Sequence, residues 1–275
     1  MKVSIITVTL NSEKYLSDCI RSVRGQNYKN IEHIIIDGKS TDGTLRIIHR
    51  NLDSIASWIS EVDKGMYDAI NKGLQMATGD IVGILNSDDM FASADSVRSI
   101  VDCFQTTKTD SIYGNLIYVD PKNTQKVVRF WKGDHYKRSR FRYGWMPAHP
   151  TFYIRRELLS QHGMYENHYF TAADYEFMAR YLFRNKVSSQ YLDTMLVKMR
   201  TGGLSNGSFK KWFRANRRDY LAMKENKIPF SFIVSIMKPL LKLPQFKSVH
   251  AQQYAMEESE EFFIKTPLSY LPADG

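Results

Sequence analysis

The 275 residues predict an α/β fold: a mostly parallel sheet flanked by helices, with a helical extension at the C-terminal end. Three observations carry this. Short β-branched runs alternate with segments of helical period through the first hundred residues, the pattern of βαβ units and of a sheet buried on both faces. Three of those runs stop at polar clusters, and parallel sheets bind ligands outside the carboxyl ends of their strands. The composition is globular, 43% hydrophobic and 24% charged, enough for one good-sized domain or a domain with a small appendage.

Val3–Leu10 is the first strand. Ser12 then caps a helix running to about Gln26, with Tyr15, Leu16, Cys19, Ile20 and Val23 at helical spacing. Ile31–Ile36 is the second strand, and Ser40-Thr41-Asp42-Gly43 opens the next helix. Ile55–Ile59 is the third strand, Tyr67–Ala77 a helix, and Ile81–Leu85 a fourth strand that stops at Asn86-Ser87-Asp88-Asp89. Beyond it the pattern is less regular. Ser111–Val119, Gln125–Trp131 and Thr151–Ile154 read as strands. Arg156–His162, Ala173–Phe183, Phe209–Lys224 and Phe230–Leu241 read as helices. The clusters Thr9-Leu10-Asn11, Asp37-Gly38-Lys39-Ser40 and Asn86-Ser87-Asp88-Asp89 are far apart in sequence, and the sheet is expected to bring them together.

Two adjacent carboxylates at a buried strand end repel and raise each other's pKa. A hard divalent cation such as Mg²⁺ or Mn²⁺ removes that conflict and accepts diphosphate oxygens as further ligands. The alternative is that Asp88 and Asp89 cap the helix after Phe91. At this point both readings are open.

The chain resembles family 2 glycosyltransferases of the GT-A fold, which have a Rossmann-like sheet. Val3-Ser4-Ile5-Ile6, Asn11, Ser22–Tyr28, Glu32 and Ile34–Thr44 carry the likeness. So do Asp63-Lys64-Gly65-Met66-Tyr67-Asp68-Ala69-Ile70-Asn71-Lys72-Gly73, Ala77–Asp80, Leu85–Asp89, His149–Phe152 and Thr171–Glu176. The variant most resembled belongs to bacterial polysaccharide clusters. The resemblance implies a catalytic domain over residues 1–205, with a donor half at 1–110 and an acceptor half at 111–205. It implies that Thr7, Val8, Thr9 and Asn11 line the nucleobase and ribose, that Asp37 contacts base or ribose, and that Asp63 and Lys72 lie near the nucleotide and its phosphates. Ser87, Asp88 and Asp89 complete the donor site, with Asp88 the metal ligand. Asp174 is the base that deprotonates the acceptor. Three positions depart from the pattern: Asn86 and Gly38 stand where the family has Asp, and Ile70 where it often has Arg.

The activity so implied is inverting transfer of a hexosyl or N-acetylhexosaminyl group, with Mn²⁺ or Mg²⁺ as cofactor. The donor is a nucleotide-diphosphate sugar, UDP-sugar favoured, and the acceptor a saccharide, in lipid-linked form a natural candidate, for cell-surface polysaccharide such as capsule. A sugar-phosphate nucleotidyltransferase would need a Gly-rich, basic loop after the first strand, which Asn11-Ser12-Glu13-Lys14 is not. A non-enzymatic basic module would leave the N-terminal carboxylates without a purpose. His149 is read either as structural or as a contact to diphosphate or metal, and Glu176 either as an ion-pair partner or as an acceptor contact. The basic and aromatic segment from Arg129 to Trp145 suits sugar stacking and phosphate binding as well as it suits an ordinary loop. Gly202-Gly203-Leu204-Ser205 resembles a family loop that closes over the donor.

The formal charge is +9, and residues 201–250 hold ten Lys/Arg against two acids, while residues 251–275 hold five acids and one Lys. Residues 206–250 therefore read as a basic amphipathic helical extension and 251–275 as an acidic tail. The extension suits either an anionic membrane surface or packing on the catalytic domain. Nucleic acid is not an expected partner. Two cysteines, a first apolar run too short for a signal peptide, and no apolar stretch near the ~18 residues of a spanning helix lead to a cytoplasmic expectation, with peripheral attachment to the inner face of the membrane.

Overall fold

A computed structural model describes residues 1–202, 209–229, 231, 232 and 234. The expected helix over Phe230–Leu241 lies largely outside these residues. The segment Gly203-Leu204-Ser205 and the acidic tail lie wholly outside them.

Strands β1 (Val3–Thr9), β2 (Ile31–Asp37), β3 (Ser57–Ser60) and β4 (Ile81–Ile84) lie parallel in the order β3-β2-β1-β4. Helices α1 (Leu16–Arg24), α2 (Thr44–His49) and α3 (Met66–Met76) connect them. Next come β5 (Asp89–Phe91), α4 (Ser96–Thr107), β6 (Ser111–Val119), β7 (Val127–Trp131), β8 (Tyr153–Arg155) and α5 (Leu158–His162). Helix α6 (Ala173–Met178) runs on through a wider turn to Arg184, and β9 (Ser189–Arg200) and α7 (Phe209–Glu225) follow. The sheet continues past β4 as β8-β6-β9-β5, with β7 also paired to β6. It is parallel through its first half. Beyond that β8 runs antiparallel to both β4 and β6, while β6 and β9 are parallel.

Strand periodicity explains the two-sided core. Ile6 and Val8 face α3 and α6, where Ile70, Leu74, Tyr175 and Met178 pack. Val3 and Ile5 face α1 and α4, with Cys19, Val23, Ile100 and Phe104. Each such side chain contributes about 1.5–3 kcal/mol of burial. Gly73 lets α3 lie flush on the sheet, because a Cβ there would collide with the Ile6 side chain. Both cysteines are buried and free.

The helix-cap reading of the acidic turn falls. Asp89 opens β5 and pairs with Met199 of β9, and the next helix begins only at Ser96, behind Asp95. Helix α1 likewise starts later than Ser12, at Leu16.

Candidate active site

The three polar clusters meet. Asn11, in the left-handed region at φ 50, donates its main-chain N–H to Ser40 Oγ (2.8 Å). Its Oδ1 accepts the Thr41 N–H (2.9 Å). Asn tolerates such a φ better than most residues, and its short side chain serves the neighbouring backbone. Ser12 and Ser87 share a hydroxyl hydrogen bond of 2.9 Å, tying the loop after β1 to the acidic turn. The first, second and fourth strands thus end in one hydrogen-bonded rim.

Within the acidic turn, Asn86 Nδ2 donates to Asp89 Oδ2 (3.0 Å). Asn86 Oδ1 and Asp89 Oδ1 are buried without a partner. Burial, and then the charge of Asp88, pushes the Asp89 carboxyl well above the usual carboxylate range. Asp88 is half-buried and is also raised by burial, against the opposing pull of Arg200. Unpartnered buried oxygens beside a carboxylate are the donor chemistry that suits Mg²⁺ or Mn²⁺. Among the described residues no three His, Cys, Asp or Glu side chains converge as a metal site. The protein's share of such a site would therefore be small.

Arg200 escapes sequence reasoning. It ends β9, 112 residues from the turn that it holds, and is 4% exposed. Its guanidinium donates to the Asp88 main-chain carbonyl (2.9 Å) and to Asp18 of α1 (2.5 Å), and lies over the Tyr15 ring (4.6 Å). Its fork geometry allows the two hydrogen bonds at once. The only advance signal was its place directly before Thr201-Gly202.

The remaining expected donor residues divide between interior and rim. Thr7 is sealed inside, its hydroxyl 2.9 Å from His33 Nε2, and Val8 belongs to the core. These two support the strand end from within. Thr9 is buried, and its hydroxyl has no partner. Asp37 is fully buried. One carboxylate oxygen accepts Ser40 Oγ (2.5 Å), and the other accepts Ser40 N–H (3.0 Å) and Ser60 Oγ (2.6 Å). Its carboxylate thus organises the loop after β2. Asp63 is half-buried and accepts the Gly65 N–H at Oδ1 (2.8 Å). Its Oδ2 stands over Gly38, where an added Cβ would lie 2.5 Å away. A carboxylate from the segment after β3 thus fills the space beside Gly38. Lys72 is bound to Glu61 (2.8 Å) and to the Val62 carbonyl (3.1 Å), close to Asp63.

A second cluster lies around α6. Asp174 is half-buried, and its Oδ1 accepts the Tyr175 N–H (2.7 Å). The Tyr67 hydroxyl meets the main chain of Asp174. His149 Nε2 is 2.7 Å from the Tyr165 hydroxyl, and the Tyr67 and Tyr165 rings stack at 5.4 Å. Burial lowers the His149 pKa, and the charge of Asp174 opposes it. His149 therefore belongs with Asp174. Its hydrogen-bonded neighbour is Tyr165, against whose ring it also packs edge-on. Glu176 is buried in an ion pair with Arg180 (2.9 Å) and accepts from Asn226 of the segment after α7 (3.2 Å). The basic and aromatic segment between β7 and β8 is divided: Phe141 is buried, Tyr136 donates to the Leu182 carbonyl (2.7 Å), and Tyr143 is exposed.

A parallel sheet whose fourth strand ends in an acidic turn, extended by a mixed half, is the fold of the GT-A glycosyltransferase structures. The model for "Glycosyl transferase family 2" matches residues 4–163, more than half of the 275, and the chain belongs to that family. This sets aside the nucleotidyltransferase and the non-enzymatic module. The chain is 29% identical over 215 residues to a PGL/p-HBAD biosynthesis glycosyltransferase of Mycobacterium bovis (strain BCG / Pasteur 1173P2), covering 76% of this chain and 81% of that one. It is 41% identical over 101 residues to an uncharacterized glycosyltransferase of Mycobacterium tuberculosis (strain CDC 1551 / Oshkosh), 36% of this chain and 38% of the other. In fold it is similar to S. aureus TarS 1-349 in complex with UDP-GlcNAc, at TM-score 0.65 and 19% identity, covering 98% of this chain and 77% of that one. It is also similar in fold to the mannosyltransferase PcManGT of Pyrobaculum calidifontis in complex with GDP-Man and Mn²⁺, at TM-score 0.62 and 17% identity, over 97% and 76% of the two chains. No helix among the described residues is long and apolar enough to cross a membrane.

Proposed function

We propose that this glycosyltransferase inverts: it moves a hexosyl or N-acetylhexosaminyl group from a nucleotide-diphosphate sugar, UDP-sugar favoured, to a saccharide acceptor. The observation that carries the reading is the rim joining Asn11, Ser40 and Ser87 beside the unpartnered oxygens of Asn86 and Asp89. The ligands named for the two fold neighbours, UDP-GlcNAc and GDP-Man with Mn²⁺, support a nucleotide-sugar donor and a divalent ion.

Asn11, Thr9 and Asp63 face the nucleoside, Asp63 supplying the carboxylate that position 38 lacks, with Thr7, Val8 and Asp37 shaping the rim from behind. Lys72 and Ser87 serve the phosphates, and Asp88 and Asp89 the diphosphate and the donor sugar. A divalent ion held at Asp88 would supply countercharge to the departing diphosphate. Asp174 takes the proton from the acceptor hydroxyl. The acceptor oxygen bonds to the anomeric carbon as the bond to the diphosphate breaks, and nucleoside diphosphate leaves. With the single base opposite the leaving group, configuration inverts. Tyr67 and Tyr165 form the wall around that base, with the His149 imidazole turned toward Tyr165. The acceptor is a lipid-linked saccharide of cell-surface polysaccharide synthesis, and the enzyme works in the cytoplasm at the inner face of the membrane. The +8 charge of residues 201–250 supports that site of action.

The test is hydrolysis of a panel of nucleotide sugars with and without Mn²⁺. Hydrolysis of a UDP-sugar that needs Mn²⁺ and falls at least about a hundredfold in Asp88→Ala, with folding retained, is the expected result. Equal rates in the two proteins would remove Asp88 from the mechanism.

A further inference from the structure

Phe170 has a backbone that side-chain-bearing residues rarely adopt, φ 49 and ψ −119, inside the turn Asn167–Ala172 that leads into α6. Such a conformation persists only where its surroundings impose it. Here both flanks are fixed in the interior: Tyr169 and Ala172 are buried in the core. The ring itself gains little from the kink. Phe170 is 56% exposed, so burial does not account for a large aromatic at a position that glycine would occupy with less strain.

Among the described residues the ring has a cation against it. The Arg218 guanidinium of α7 lies over it at 4.2 Å from the ring centre. Helix α7 packs against both the turn that carries Phe170 and α6, which carries Asp174 four residues further on. With the guanidinium on one face, the opposite face of this exposed ring has the chemistry of a pyranose platform. The C–H face of the sugar stacks on the ring, and hydroxyls accept from the guanidinium.

We propose that Phe170 and Arg218 form an acceptor-sugar subsite, and that the strained backbone is the means by which the ring is presented to the acceptor. The proposal rests on the reading of Asp174 as the acceptor base. It adds a specificity-determining residue that does not touch the donor.

The test uses the full chain and p-nitrophenyl pyranosides as probe acceptors. Their binding is followed by saturation-transfer NMR without turnover, and donor hydrolysis is assayed separately without acceptor. Glycoside binding in the wild type that weakens at least tenfold in both Phe170→Ala and Phe170→Gly, is retained in Phe170→Trp, and leaves donor hydrolysis within twofold is the expected result. Unchanged glycoside affinity in the Ala and Gly variants, or a wild type that binds none of the probes, overturns the subsite. A loss of donor hydrolysis parallel to the loss of glycoside binding also overturns it, because Phe170 would then act only through the fold. Failure of the wild type to hydrolyse any nucleotide sugar would strike the donor assignment instead, while the NMR arm still decides the subsite.

Discussion

The proposed donor half and the proposed acceptor half hold their polar groups in opposite ways. In the donor half, side chains from neighbouring loops satisfy one another: Asn11 serves Thr41, Ser12 meets Ser87, and Asp37 is held by Ser40 and Ser60. In the acceptor half one carboxylate, Asp174, stands among aromatic rings, and a buried ion pair locks its helix from beneath. Tyr165 stacks on Phe177 at 4.1 Å, Phe177 on Tyr181 at 4.2 Å, and Glu176 pairs with Arg180. The first arrangement follows from where parallel strands end. The second depends on packing between distant segments. The proposed donor site is thus built by topology and the proposed acceptor site by tertiary contact, so the two should fail separately.

Removing the lock should separate them most strongly. Arg180→Met leaves the Glu176 carboxylate buried and also removes donors to the His162 and Met164 carbonyls. A loss of about 3–5 kcal/mol is expected for stranding one partner of a buried pair. Hydrogen exchange should show the loss around α6 and α7 while β1, β2 and β4 stay protected. Uniform loss across the sheet would break the comparison.

Acid should weaken the donor half next. His33 on β2 is buried, and desolvation lowers its pKa from 6.5 to about 4. Between those values the unfolded chain binds the proton and the folded chain does not, so stability rises with pH there. The His33 contribution is fully present above about pH 6.5 and is lost as pH falls toward 4, on the order of 3 kcal/mol. Denaturant unfolding from pH 7 to 4 should show a steeper decline in the wild type than in His33→Gln. Equal slopes would show that His33 is not the group responsible.

A smaller effect is expected where the two halves are joined. Arg200→Lys keeps the charge but cannot serve the Asp88 carbonyl and Asp18 together. It should lower stability by about 1–2 kcal/mol and raise the donor KM severalfold with kcat less changed. An unchanged KM would show that the acidic turn keeps its shape without Arg200.

What was legible in the sequence follows the same division. The βαβ order from β1 to β4, and the meeting of their polar ends, came from local patterns: apolar runs, turn residues and strand-end carboxylates. Strand β5 was not legible, because Asp89–Phe91 is extended only through its pairing with β9, more than a hundred residues on. Strand β9 went unrecognised because Ser189–Arg200 mixes polar and apolar residues where it is half-buried. With it went Arg200. His149 was visible as a candidate, but its partner was not, since Tyr165 reaches it only through the folding of α5 and the turn after it. The kink at Phe170 has no sequence signal, because a bulky residue stands where a glycine would have marked it.

The most direct test of the account is Asp174→Asn, with donor binding and sugar transfer measured in the same protein. Donor affinity is expected within twofold of the wild type and transfer lower by roughly 10²–10⁴-fold, the usual worth of a general base. Transfer at the wild-type rate, or a donor affinity that falls together with transfer, would contradict it.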